Sequence, residues 1–384
     1  MKKQNNKRNI IIIGCIAILI VILLIVILLL KSQKSVTYEY YINTNKSDIQ
    51  GKNLASWNCT NNAKIEYDEA SSSYLAKNVT KNSECKLYFE ENIYDQINYL
   101  ASSSFDDVIE SNKITKNLSG EALYYSSDAN NYVYFNCDDY SNQNSDTCDV
   151  WRIIKTENIN NETPVVKLIK ASKLAVTDKT NNTILDKFSW YYTKDVDIDE
   201  LTFLESGIYG ILNQGYLNSE SNYEYVDNNT NVHTLDFSNT GIKNKTTRKM
   251  ISKVNFHVTS DSDFTMTSSN WVRNESSGLS TELEIGLPTI SDYITSVGTC
   301  NNINVSKFAD CTDSSFINIS DNMWTMNVAA ANKKTVYRVS NYKTISPVYP
   351  SLEYEVYPTL FINGDAKIIG GNGSIDSPYM LAEN

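Results

Sequence analysis

The sequence predicts an α+β protein, mostly β, carried on one side of a membrane by a single N-terminal helix. Three observations support that expectation. An unbroken apolar run lies near the start, short alternating stretches rich in Tyr, Val and Ile recur afterwards, and six cysteines follow the apolar run. The expected organisation is a cytoplasmic tail over 1–9, a transmembrane helix over 10–30 and a small Ig-like β-sandwich over 35–92. A helical connector over 93–120 and a larger α+β domain over 121–384 complete it.

The anchor rests on Ile10–Leu30, 21 residues without a charge and with nothing more polar than Gly14 and Cys15. As a helix this run is about 31 Å long, which matches a hydrocarbon core of about 30 Å. A helix in hydrocarbon satisfies its own backbone hydrogen bonds and needs no partner to span. A cleaved signal peptide would carry an apolar region of only ~7–15 residues and a small-residue exit. This run instead continues to Lys31. Lys2, Lys3, Lys7 and Arg8 precede the span, and Lys31 and Lys34 follow it, so the positive-inside bias places the N-terminus in the cytoplasm. Ile12-Ile13-Gly14-Cys15 has the local form of a lipoprotein cleavage box, but its apolar lead is five residues long and the longer stretch lies behind it. Cys15 therefore reads as an ordinary thiol in a membrane helix.

From residue 35 on, 45 acidic residues face 28 basic ones, a net charge of −17. Nucleic acid and anionic membrane surfaces need clustered Lys and Arg, so neither is an expected partner. A hydrophobic fraction of 41% is sufficient for packed cores. The six outer cysteines are Cys59, Cys85, Cys137, Cys148, Cys300 and Cys311. An even count in an oxidising compartment reads as three disulfides, and spacings of 26, 11 and 11 make neighbour pairing the simplest choice. Zinc is the rival, but there is no C-x-x-C and the only histidines are His233 and His257.

The elements follow from periodicity. Val36 to Tyr41 and Lys86 to Phe89 alternate like half-buried strands, and Trp57, Tyr88 and Phe89 are expected to pack against a Cys59–Cys85 bridge. A domain near 60 residues buries little, so a staple is physically reasonable. Ile93, Ile97 and Leu100 share a helical face, and a Ser-rich break over Ala101 to Ser104 follows. Asn131 to Cys137, Val150 to Ile154 and Pro164 to Ile169 read as strands, the first two flanking a loop clipped at its base. Leu201, Leu204, Ile208 and Leu212 predict a helix after an acidic start at Asp195 to Glu200, and Met250, Ile251 and Val254 a shorter one. Thr335 to Val339, Thr359 to Ile362, an Asn363-Gly364 turn and Lys367 to Ile369 return the chain to β structure. Tyr379, Met380 and Leu381 end it with apolar bulk.

These pieces resemble an uncharacterised Cys-clipped module of surface proteins from low-GC Gram-positive bacteria. There, "NNYV-x-F" and "WRII" flank a short clipped loop, as over Asn130 to Ile154. A "GL-x-x-x-SDY" element matches Gly286 to Tyr293. A "G-x-GS-x-x-x-PY" ending matches Gly371 to Tyr379. The resemblance spans about residues 121 to 384. It departs at Tyr357, where the module usually has an Arg before the Pro. The terminal strands also resemble the closing sheet of C-type-lectin-like folds. The resemblance implies display at the cell surface and brings no activity with it.

The enzymatic alternative is a sortase-like transpeptidase, with Cys300 as nucleophile, His233 or His257 as partner and Arg338 steadying the oxyanion. The usual T-L-x-T-C strand is missing, and Cys311 stands ready to oxidise Cys300. Ser83 to Lys86 and Ser340 to Lys343 match S-x-x-K, without a K-T-G. Asp195, Asp197 and Asp199 lack the Gly and Glu that a calcium loop places at its sixth and twelfth positions. No E-P-N or Q-P-D lectin triplet occurs. Gly370 to Gly373 has no helix behind it to form a phosphate cradle and reads as a tight turn. His257, among Val254, Phe256 and Val258, reads as a packed strand residue. The expectation is an extracellular binding or adhesion protein for a glycan or protein, without cofactor. A structural role in an envelope complex is the further alternative.

Overall fold

The computed structural model describes residues 36–382 apart from 43–44, 47–52, 69–72, 81, 91, 103–105, 118, 161, 192–201, 259–264, 299, 301 and 330–333. The apolar run Ile10–Leu30 and the acidic stretch Asp195 to Leu201 lie outside the described residues. No helix among the described residues is long and apolar enough to cross a membrane. Those residues are 39% strand and 19% helix, in several small sheets, an α+β composition dominated by β. The chain divides into two compact units, one up to Phe89 and one from Glu90.

In the first unit, Val36–Ile42 runs parallel to Ser83–Glu90, which also borders Asn53–Cys59. A separate hairpin joins Lys64–Asp68 to Ser73–Lys77. The Cys59–Cys85 disulfide ties neighbouring strands of one sheet. Its surroundings differ from the aromatic packing expected. Leu54, Ala63, Ile65 and Leu87 are buried with Cys85, while Trp57 is 38% exposed. Alternation explains this: Leu54 faces inward, so Trp57, three positions on, points to the other face. The side chains of Tyr88 and Phe89 lie outside the described residues.

The second unit is built on an antiparallel sheet. Its order runs Ile251–Ser252, Thr359–Asn363, Thr163–Lys170, Cys148–Ile159, Ala122–Tyr124 and Ile114–Lys116. Tyr132–Cys137 adds to Cys148–Ile159, with Cys137 directly opposite Cys148, so their disulfide clips the base of the intervening loop as expected. The third pair, Cys300–Cys311, closes a loop around the turn Val305–Asp310. Trp151, Ile153, Val165, Val166, Leu168, Leu360 and Ile362 bury the middle of the sheet completely.

Four expected elements take another form. The helix Ile93–Ala101 is no connector: Ile93 and Ile97 are fully buried, and Ile93 N–H donates to Ala366 O at 2.9 Å, which docks the helix in the second unit. Asn92 caps it through Asp95 N–H at 2.8 Å. The stretch Leu204 to Leu212 is three short helical pieces, the 3-10 turn Phe203–Glu205, Gly207–Gly210 and the π-type turn Ile211–Tyr216, with Ile208 and Leu212 buried but Leu204 50% exposed. The helix at Met250 is Lys245–Met250, and Ile251 and Val254 already lie in strands. Finally, Asn363-Gly364 does not turn one hairpin: Thr359–Asn363 pairs with Thr163–Lys170, whereas Ile368–Gly370 pairs with Met380–Leu381. Gly364 instead packs where a Cβ would meet the backbone of Pro164 and the Tyr94 side chain at 2.8 Å.

The motif residues have structural work. Arg152 of the "WRII" stretch is 5% exposed. Its guanidinium donates to Asn131 Oδ1 at 2.5 Å, Tyr132 Oη at 2.7 Å and Ala129 O at 3.2 Å, and it lies 3.8 Å above the Tyr132 ring. Thr289 and Asp292 of the "GL-x-x-x-SDY" stretch form a reciprocal capping box for the helix Ile290–Val297. Gly371 and Gly373 hold φ near +79°, and a Cβ on Gly373 would meet Asn130 O at 2.5 Å, so the terminal turn needs glycine there. That turn brings Tyr132 N–H to Gly373 O at 2.8 Å and buries Tyr379 and Leu381.

Candidate functional site

A small sheet of the second unit collects an imidazole and its carboxylates. Its strands are Thr183–Leu185, Val176–Asp178, Val232–Asp236 and Tyr223–Val226, in that order. Two tight turns join them. Asp178 opens the first, accepting from Thr180 N–H at 3.0 Å and Asn181 Nδ2 at 2.9 Å. Asp227 opens the second, accepting from Asn229 N–H and Asn231 N–H, each at 2.8 Å. Both are turns in which a carboxylate side chain replaces a backbone acceptor, the ordinary use of Asp at such positions.

His233 links the turns. Its Nδ1 is 2.9 Å from Asp178 Oδ2, and its Nε2 is 3.4 Å from Asp227 Oδ2. Only a doubly protonated ring donates to both. The imidazole is 8% exposed and lies 5.9 Å from the Tyr225 ring, whose hydroxyl sits 2.8 Å from Ser189 Oγ. Burial pushes the His233 ring toward its neutral form, but hydrogen bonds to Asp178 and Asp227 outweigh it and hold its pKa above the ordinary value. The same bonds offset burial at Asp178 and Asp227 and keep both carboxyls below the usual carboxylate range. Burial lifts the Tyr225 hydroxyl to about 12.

Glu353 borders this cluster. It lies on the strand Glu353–Tyr354, which pairs with Phe188–Ser189. Partial burial raises its pKa, and the Asp227 charge adds to the rise while His233 and Lys187 oppose it. Immediately before it, the turn Tyr349 to Leu352 projects outward, with Tyr349 70% and Leu352 40% exposed. The turn is pinned at its base: Leu352 N–H donates to Tyr349 O at 3.2 Å, and Tyr191 N–H to Pro350 O at 3.0 Å. The result is an aromatic and aliphatic tip beside a half-buried acid and a closed Asp–His–Asp group.

The residues of the transpeptidase alternative are committed elsewhere. Cys300 is bonded to Cys311, which occupies the thiol that nucleophilic chemistry requires. His233 is bound by its two carboxylates, and His257 sits half-buried in the strand Val254–Val258. Arg338 Nη1 donates to Thr344 O at 3.5 Å within its own hairpin. Cys300, Cys311 and Asp313 place potential ligand atoms within 4.8 Å of one another, but the disulfide removes both thiolates from metal binding. Tyr357, standing in place of the module's usual Arg, is buried and donates to Asn318 O at 2.8 Å.

Sequence reasoning did not single out Asp178, Asp227, Glu353, Tyr349 or Leu352. The two turns carry a readable signal, since Asp178-Lys-Thr-Asn-Asn and Asp227-Asn-Asn-Thr-Asn both interrupt alternating stretches. That His233 reaches both is a matter of strand register, which local composition does not encode. Comparison of the chain with family models, curated proteins and solved structures gave no match.

Proposed function

We propose that this chain is a cell-surface binding protein. Ile10–Leu30 crosses the membrane with the N-terminus in the cytoplasm, and the disulfide-stapled units outside engage a glycan or protein ligand. One observation carries the binding reading: Tyr349 and Leu352 stand 70% and 40% exposed on a turn with a pinned base. A tyrosine presented this way offers a large contact area at small cost in side-chain entropy. Glu353 at its foot supplies an acceptor for ligand hydroxyl or amine groups. The disulfides suit an oxidising compartment, and the charge of the outer part disfavours nucleic acid. Membership of the Cys-clipped surface module is part of this proposal and rests on its motifs. The Ig-like reading of the first unit and the C-type-lectin-like reading of the second belong to it as well.

Residues 35–384 displayed on printed glycan and protein arrays test the binding half. A specific hit is expected, weakened at least tenfold by Tyr349→Ala and Leu352→Ala with the thermal transitions unchanged. Arrays that stay blank, or variants that bind like the parent, exclude this turn as the ligand surface. Protease added to intact cells tests the topology. Loss of nearly all of 35–384 is expected, and a protected C-terminal region contradicts it.

A further inference from the structure

Beneath the main sheet lies a second charged group, sealed from water and separate from the turn cluster. Lys167 is on the central strand Thr163–Lys170 and is 4% exposed. Its Nζ is 2.8 Å from Oδ2 of Asp292, 3% exposed, in the first turn of the helix Ile290–Val297. The rings of Phe256 and Phe361 each lie 5.2 Å from that nitrogen and cover it. Glu275, 4% exposed, reaches in from the helix Ser268–Ser276. It accepts from Asn327 Nδ2 at 2.9 Å and from the Thr289 hydroxyl. Thr289 Oγ1 in turn accepts from Asp292 N–H at 3.2 Å, and Asp292 Oδ2 accepts from Thr289 N–H at 2.8 Å. A lysine, an aspartate and a glutamate from three separate segments thus meet in one dry site. Lys155, whose ammonium also feels the Asp292 charge, is paired with Glu157.

The local needs of the fold do not explain this grouping. A capping box at Thr289 requires Asp292 but no lysine, and a core strand position is ordinarily filled by an apolar side chain. Burying an ion pair costs several kcal/mol per ion by desolvation, and apolar replacements are often as stable. Condensation of the pair removes both charges. From this geometry we infer that Lys167 and Asp292 form an intramolecular amide, a covalent brace between the central strand and the helix Ile290–Val297, with Glu275 positioning Asp292 through Thr289.

The step balances without any co-reactant. A proton passes across the Lys167–Asp292 hydrogen bond, leaving a neutral amine and a carboxylic acid. The Nζ lone pair attacks Cγ of Asp292 and forms the C–N bond. A proton moves from nitrogen to the departing hydroxyl, the C–OH bond breaks, and one water leaves. Glu275 acts through the Thr289 hydroxyl, which in turn holds the Asp292 backbone N–H, so it is a positioning residue. Burial raises its carboxyl above the usual range, against the hydrogen bonds from Thr289 and Asn327. Fixed contact between the two partners supplies the driving geometry, since well-oriented intramolecular groups reach effective concentrations of about 10⁵–10⁸ M.

Mass spectrometry of the purified full-length chain, denatured and with its disulfides reduced, decides the matter. The chain is expected to be one water lighter than its sequence requires. Proteolytic mapping should recover a branched peptide joining the Lys167 and Asp292 segments. Lys167→Met should restore the full mass. Glu275→Gln, checked by circular dichroism for native structure, should condense at least tenfold more slowly after refolding, an effect that a purely structural glutamine-for-glutamate change does not produce. A parent chain of unmodified mass overturns the inference. So does a missing water that maps to a single linear peptide, as an aspartyl succinimide would. An unaltered rate in Glu275→Gln removes the role given to that residue.

Discussion

The two units solve the same problem with different means. Among the described residues, the first gathers Leu54, Ala63, Ile65 and Leu87 around Cys85, a small apolar cluster with a disulfide at its centre. The second buries four tryptophans, Trp151, Trp190, Trp271 and Trp324, within one continuous core, and its two disulfides only close loops. Apolar burial grows with size, so a larger unit can spare its bridges and a small one cannot. The difference also places function. Only a unit with surplus stability can hold buried charged groups such as His233 and Arg152 in fixed positions and still present a rigid turn to solvent.

Deleting residues 364–384 should have the largest effect. Tyr379 and Leu381 are buried, and the Gly371–Gly373 turn holds the edge of Tyr132–Cys137 by hydrogen bonds. Each such side chain contributes about 1.5–3 kcal/mol, a large share of a domain's ~5–15 kcal/mol. The second unit should lose its calorimetric transition while the first keeps its own. Survival of both transitions marks the tail as an appendage. Loss of both marks a single cooperative domain.

Removing single bridges should come next. Replacing Cys59 and Cys85 by Ser frees a 26-residue loop, worth about 3.5 kcal/mol on the chain-entropy model. That should abolish the first transition. Replacing Cys137 and Cys148 frees an 11-residue loop, worth about 2.8 kcal/mol, and should lower the second transition without removing it. Equal losses in the two units break the comparison.

The turn cluster should give a smaller, pH-dependent effect. The folded His233 pKa is raised, so its contribution is complete below about pH 6.5 and fades as pH rises through the folded value. Asp178 and Asp227 are lowered, so theirs is present above about pH 4 and fades in acid. His233→Gln should therefore cost about 1.5–3 kcal/mol near pH 5.5 and little at pH 9, read from urea midpoints. A pH-independent cost contradicts the doubly protonated bridge. Smallest of all, Trp57→Ser should cost less than about 1 kcal/mol, because its side chain, 38% exposed, lies outside the apolar cluster around Cys85. A loss of several kcal/mol restores the aromatic packing first expected around Cys59.

What was legible follows the range of each signal. The strands over Tyr132–Cys137 and Thr163–Lys170, and the clipped loop between Cys137 and Cys148, announce themselves through alternation and spacing, which are local. The role of Ile93–Ala101 was not legible. Its helical face is plain, but its partner Ala366 is far along the chain. The Asn363-Gly364 pair misled for the same reason, since Thr359–Asn363 prefers the distant Thr163–Lys170 over its neighbour. The candidate site was least visible, because Glu353, Asp227 and His233 meet only after three separate strands have found their register.

Differential scanning calorimetry of the full-length chain, with and without a reductant, tests most directly that the units stand on different supports. Without reductant, two transitions are expected. With reductant, the first should vanish and the second should persist at a lower temperature. A single transition in the absence of reductant, or a second transition lost together with the first, contradicts the account.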